Sequence, residues 1–217
     1  LGDDIELYES MTERKKIETL CFLRQQRKKT TPDPYLSLSD FVAPKESKVS
    51  DYIGLFAVTI GQSVEEYSAY YAKKHDDYQA IMIKALGDRL AEAFAEKLHK
   101  IARDLCGFGV EEDLSTEQLI KEEYRSIRPA PGYPSCPDHT EKAKIFNLLK
   151  VHESIQASLT ENYAMSPASS VCGYYFNHHQ AKYFNISKIN KDQVLEYAER
   201  KKISLEETNK WLAPLLP

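Results

Sequence analysis

The chain has no C-x-x-C pair, no G-x-G-x-x-G fingerprint, no P-loop, no G-x-S-x-G elbow and no apolar run of membrane length. Each absence removes a class. Without the glycine cradles there is no familiar nucleotide site, and without the elbow no familiar serine nucleophile. The least polar stretch, 53–60, falls far short of the roughly 20 residues a spanning helix needs. No charged and then apolar leader opens the chain, so no signal peptide is read. Basic excess is lacking too: 29 Lys and Arg face 33 Asp and Glu, a net charge of −4. That balance argues against a nucleic-acid partner, which needs a basic footprint. The first residue is Leu1 rather than Met, and the expectation is that sequence upstream has been cut away.

What remains is ordinary soluble composition, with 42% hydrophobic and 29% charged residues in 217. One domain of that length buries a core without covalent staples. The four cysteines, Cys21, Cys106, Cys136 and Cys172, are scattered and read as free thiols of a reducing, cytoplasmic setting. Cys136, His139, His178 and His179 fall in one region, but their spacing lacks a paired-ligand signature, so no metal ligand is assigned.

Periodicity divides the chain into strands, then helices, then a mixture. Residues 5–8, 19–23 and 35–42 read as short strands, and 51–61 as the strongest one, buried on both faces over 53–58. Ser63 with Glu66 fits a capping box opening a helix to about His75. A longer helix starts near Asp76 and Asp77 and stops near Gly107. On it Tyr78, Met82, Leu86, Leu90, Ala93, Phe94 and Ile101 form an apolar stripe expected to face the core. Ser115 caps a helix through Tyr124, and Asp138 caps another to about Leu149. Residues 171–176 and 183–188 read as two strands of a hairpin. Helices near 190–202 and 204–212 close the chain. This order predicts an α+β fold: a twisted, mostly antiparallel sheet with long helices packed around it.

The most informative stretch is 128–137, with four prolines in ten residues. Each proline fixes φ and removes a donor, so the segment is a stiff loop. Arg128 and Tyr133 on it present a guanidinium fork and a ring in fixed relation. The fork suits a carboxylate. A structural loop that only turns a corner is the competing reading. Asp88 and Glu92 stand four apart on the long helix, so both carboxylates share one face and call for a nearby cation. Arg128, Arg89, Lys84 or a cationic ligand would serve, and a solvated acidic edge is the alternative. Glu122 is another partner for Arg128. Tyr183 and Phe184 could stack on a flat ring or simply fill core.

The run R-P-A-P-G-Y-P-S-C-P-D-H-T-E-K at 128–142 resembles the signature of the reactivation domain of cobalamin-dependent methionine synthase. Residues 2–6, 40–45, 51–54, 75–78, 85–96, 159–161, 191–194 and 211–214 resemble further blocks of that family in order, so the likeness covers essentially the whole chain. The resemblance implies a single reactivation domain over 1–217, truncated on its N-terminal side, which binds S-adenosylmethionine. Its role would be to support reductive methylation of inactive cob(II)alamin back to methylcobalamin. Cobalamin itself would be bound by a neighbouring domain, and zinc only by an upstream one. The partners implied are that cobalamin-binding domain and flavodoxin or a similar reductase, with no nucleic acid and no membrane. The isolated domain would not make methionine by itself.

By the same resemblance Arg128 takes the ligand carboxylate, and the backbone of Ala130 and Pro131 holds the adenine edge. Tyr183 and Phe184 contact the ligand. Asp88, Glu92 and Glu122 are acidic positions near the ligand and the cobalamin-facing cleft, and Tyr133 faces the corrin. Further ligand contacts lie in family sequence ahead of this chain, so the site is expected to be incomplete. The basic runs 14–16, 27–29 and 73–74 are candidate docking points for an acidic flavodoxin. A binding-only module, or an unrelated Cys/His metalloprotein, are the competing functions.

Overall fold

The computed structural model describes residues 2–10, 12 and 15–216. Leu1, and Arg14 of the first basic run, lie outside the described residues. The chain opens with an antiparallel pair, β1 (Asp4–Tyr8) and β2 (Lys16–Cys21), in which Ile5 faces Leu20. β3 (Gly54–Thr59) is followed by α1 (Ser63–Lys73), the 29-residue α2 (Asp77–Leu105) and the short α3 (Thr116–Ile120). After the proline-rich loop come α4 (Lys142–Leu148), α5 (Val151–Ile155), β4 (Ser158–Leu159), β5 (Met165–Ser166) and β6 (Ser170–Tyr175). α6 (Lys191–Lys201) and α7 (Leu205–Leu212) complete it. The class is α+β as expected, with the antiparallel pairing spread over three two-stranded ladders, β1–β2, β3–β6 and β4–β5.

β3 pairs with β6 from Gly54 opposite Tyr175 to Thr59 opposite Ser170. Its two faces are both covered. Phe56 and Val58 pack with Ala95 and Tyr175 on one side, while Leu55 and Ala57 lean on the main core of Leu20, Phe22, Leu38, Ile145, Tyr174 and Phe176 on the other. A second core gathers Leu23, Ile186, Ile189, Val194, Tyr197 and Leu212, clamping α6 and α7 to β2. Each such large side chain contributes about 1.5–3 kcal/mol on burial.

Several local expectations are corrected. Residues 35–42 form no strand; Leu38–Phe41 is a turn of 3-10 helix. The Asp40 carboxylate accepts the Ser37 N–H at 2.9 Å and the Arg24 fork at 2.7 Å on both oxygens, and this local bonding outcompetes a ladder. The box at Ser63 does not close: Gln62 occupies the cap position, and Glu65 instead accepts the N–H of Ala168. α3 ends at Ile120 rather than Tyr124 because Glu122 turns left-handed, at φ 55°. Residues 183–188 form no strand with β6, whose partner is β3. Residues 183–186 instead lie against the proline-rich loop.

The largest correction concerns α2. Tyr78, Met82, Leu86, Leu90, Phe94 and Ile101 are exposed, and Ala93 with them. The buried face is Ala80, Gly87, Ala91, Ala95, His99 and Arg103. Small residues let the helix approach its neighbours closely. A Cβ on Gly87 would meet Ser169 Oγ at 2.7 Å and Val64 Cγ1 at 2.8 Å. Spacing located the two faces, and size decided which one packs.

Candidate functional site

The proline-rich loop begins where Ile127 pairs with Phe176, and Pro129 O then accepts the N–H of Tyr174 at 3.0 Å. The loop is thereby stitched along β6. It next curls on itself: Gly132 donates to Cys136 O at 2.7 Å, Tyr133 to Ala130 O at 3.2 Å and Cys136 to Tyr133 O at 2.9 Å. Gly132 has φ 99°, and a Cβ there would strike the His139 ring at 2.4 Å, so both the backbone angle and the space demand glycine. Pro131 is buried, Ala130 half-buried, and Tyr133 points to solvent.

Residues 183–186 lie against this loop. Tyr183 OH accepts the Arg128 N–H at 3.0 Å. Ser135 Oγ donates to Phe184 O at 2.6 Å and accepts the Phe184 N–H at 3.1 Å. Ile186 N–H reaches Pro134 O at 2.8 Å. The Phe184 ring packs toward Phe41, 6.3 Å between centroids, so its contribution to the loop is through backbone.

Arg128 is the hub. Its Nη2 lies 2.6 Å from Glu96 and 3.3 Å from Glu122; its Nη1 donates to Tyr124 OH and to His99 Nδ1, the latter at 3.3 Å. Glu122 therefore meets Arg128 as the sequence proposed. Burial raises the Glu122 pKa, Arg128 opposes that, and the Glu96 charge adds to it. Glu96 Oε1 is buried with no hydrogen-bond partner among the described residues, leaving one acceptor beside the arginine unfilled.

Asp88 and Glu92 stand apart from this hub. Asp88 accepts Ser169 Oγ–H at 2.8 Å, two turns and about 12 Å along α2 from Glu96. Glu92 is exposed one turn before Glu96. Arg128, Ala130, Pro131, Tyr133, Glu122, Tyr183 and Phe184 thus come together, while Asp88 and Glu92 extend an acidic row away from them. Sequence reasoning did not single out Glu96, His99, Tyr124 or Tyr175. Glu96 was legible as the next member of the row 88, 92, 96. The others were not, because long-range packing brings them in.

His99 is fully buried, its ring stacked on Tyr175 at 4.9 Å and 5°. Burial first, then the charges of Arg103 and Arg128, lowers its pKa to about 3, so the ring is neutral. The two thiols nearest the loop are equally quiet: burial pushes Cys136 and Cys172 up, the latter to about 12. All four cysteines are unbridged. Among the described residues no three His, Cys, Asp or Glu side chains group to hold a metal, and no helix is long and apolar enough to cross a membrane.

The chain matches, over residues 1–202, the family described as vitamin B12 dependent methionine synthase, activation domain. It belongs to that family. Its fold superimposes on a crystal structure of the MetH reactivation domain bound to AdoHcy with a TM-score of 0.97 and 50% sequence identity. The match covers 100% of this chain and 66% of that one, so the activation domain described above spans just under two thirds of its solved relative.

Proposed function

We propose that the hub and the proline-rich loop bind S-adenosylmethionine, so that this activation domain supports reductive methylation of cob(II)alamin to methylcobalamin. The observation that carries the reading is Arg128, whose two Nη nitrogens are held by two carboxylates, a hydroxyl and an imidazole, beside a loop shaped by its prolines and Gly132. A guanidinium so fixed takes a carboxylate without first being ordered. The relative solved with AdoHcy, the demethylated form of this ligand, supports the same chemistry.

In this reading Arg128 takes the methionyl carboxylate, backbone groups of Ala130 and Pro131 face the adenine edge, and Tyr183 lines the ligand while its hydroxyl steadies Arg128. Phe184 acts through its backbone. Glu122 with the exposed Asp88 and Glu92 gives a negative field that favours the sulfonium. Tyr133, already turned to solvent, faces the corrin. Cobalamin, held by a neighbouring domain with flavodoxin or a similar reductase as electron donor, would supply the methyl acceptor, and S-adenosylhomocysteine would be the product left on this domain. The setting is cytoplasmic, and methionine formation itself belongs to the other domains. Lys28, Lys29, Lys73 and Lys74 offer positive surface for an acidic reductase.

Calorimetric titration with S-adenosylmethionine tests the reading. Heat of binding is expected from this chain and none from Arg128→Ala with an unchanged circular dichroism spectrum. Equal binding by the two proteins sinks the carboxylate assignment. Heat from a longer form of the domain and none from this chain favours the binding-only module instead.

A further inference from the structure

We infer that His99 is a positioning residue for Arg128, a hydrogen-bond acceptor whose ring is oriented by Ser126 and Asn177 and which sets where the ligand carboxylate docks. The inference rests on the reading of Arg128 as the carboxylate partner. A guanidinium only donates, so His99 Nδ1, 3.3 Å from Arg128 Nη1, must be the unprotonated nitrogen. The proton then sits on Nε2, which donates to Ser126 Oγ at 3.0 Å. Ser126 Oγ–H in turn donates to Asn177 Oδ1 at 2.9 Å, and Asn177 Nδ2 donates to Cys106 Sγ at 3.1 Å. Every donor in this line finds an acceptor, and one tautomer satisfies it.

Three further observations favour a built device. Ser126 holds φ 93°, a left-handed angle a serine adopts only where its surroundings impose it. The imidazole cannot turn, because it stacks within 5° of the Tyr175 ring, which in turn stacks on Phe56 at 4.7 Å and 11°. Charge accounting then explains the residue type. Arg128 already faces Glu96 and Glu122, two carboxylates to one cation. A third carboxylate would hold the arginine equally well but would repel an incoming carboxylate. An uncharged ring steers Nη1 without that penalty.

The test compares S-adenosylmethionine with 5′-methylthioadenosine, which carries the adenosine and no amino-acid portion. His99→Phe keeps the stacked ring and removes the acceptor. It is expected to weaken S-adenosylmethionine binding about tenfold to a hundredfold, the worth of a hydrogen bond to a charged group, with methylthioadenosine unchanged. His99→Asn, whose carbonyl stands near the position of Nδ1, should restore most of the loss. Equal weakening of both ligands, or no weakening of either, overturns the inference. Arg128→Ala separates the two layers: if it too fails to discriminate the ligands, the reading of Arg128 is at fault; if it discriminates and His99→Phe does not, the role of His99 is. Nitrogen-15 spectra of the unsubstituted protein give an independent check without ligand. A His99 proton on Nε2 is expected, and a proton on Nδ1 overturns the inference outright.

Discussion

Glu96, one turn of α2 beyond Glu92, holds Arg128 at 2.6 Å. The sequence singled out Asp88 and Glu92 as the pair calling for a cation, and the carboxylate that meets Arg128 is the next one along the same face. Glu96→Gln is expected to weaken S-adenosylmethionine binding about tenfold, since the arginine loses a charged anchor. Glu92→Gln should shift it less than about threefold, because an exposed charge one turn away is screened by solvent. Titration of both variants in the same buffer decides. Equal effects would mean that Glu96 acts only as part of a diffuse field.

His99 makes folding depend on pH in a defined window. Its folded pKa is depressed from 6.5 to about 3 by burial and by Arg103 and Arg128, with Tyr124 and Tyr175 packed on its ring faces and edge. Protonation therefore favours the unfolded chain. The contribution is complete above pH 6.5 and is lost as pH falls toward 3, at up to about 1.4 kcal/mol per unit. Urea unfolding at pH 7.5, 6 and 5 should show that slope, and His99→Phe should remove it. A slope identical in the two proteins would assign it to other groups.

Behind the loop lies a buried ionic cluster. Lys201 bridges Asp138 and Glu141, Lys144 reaches Glu141 at 2.7 Å, and Tyr197 OH donates to Asp138 at 2.7 Å. Lys201→Met leaves two buried carboxylates short of a partner and is expected to destabilise the chain by about 3–5 kcal/mol. The Asp138 pKa is depressed in the folded state, against the pull of burial, by Lys201 and its hydrogen bonds. Its share of stability is present above pH 3.8 and fades as pH drops below that. Thermal melts of the variant at pH 7 check the first statement; a loss under 1 kcal/mol would show that the cluster relaxes into solvent.

α2 offers a test of which face is packed. Ala91 is 1% exposed and Leu90, its neighbour, 57%. Ala91→Leu should overpack the helix against its neighbours and cost about 1–3 kcal/mol. Leu90→Ser should stay within about 1 kcal/mol. The opposite ranking in denaturant unfolding would restore the bulky stripe to the core.

How much of this could be read from sequence depends on whether the cause was local. The helix start at Asp76 and Asp77, the cap at Ser115 and the Arg128–Glu122 pairing follow from neighbours in the chain, and each is found. The strand at 35–42 failed because Arg24, far along the chain, captured Asp40 and favoured a tight turn. The stripe on α2 failed for a different reason: hydrophobicity predicts burial by side-chain size, whereas close helix packing selects alanine and glycine. His99 could not be found at all, since nothing in its flanking residues announces Arg128, Ser126 or Tyr175.

The stack Phe56–Tyr175–His99 has a consequence for how the molecule loosens. It ties the guanidinium to the β3–β6 ladder, whose two faces are both covered. Fluctuations that open the site must therefore also part the rings from the sheet. Slow hydrogen exchange at the amides of Tyr174 and Phe176, which bond directly to Pro129 and Ile127, should report both events with a single free energy of opening. On the proposed reading of Arg128, ligand affinity and the exchange protection of these two amides are then expected to fall together on heating.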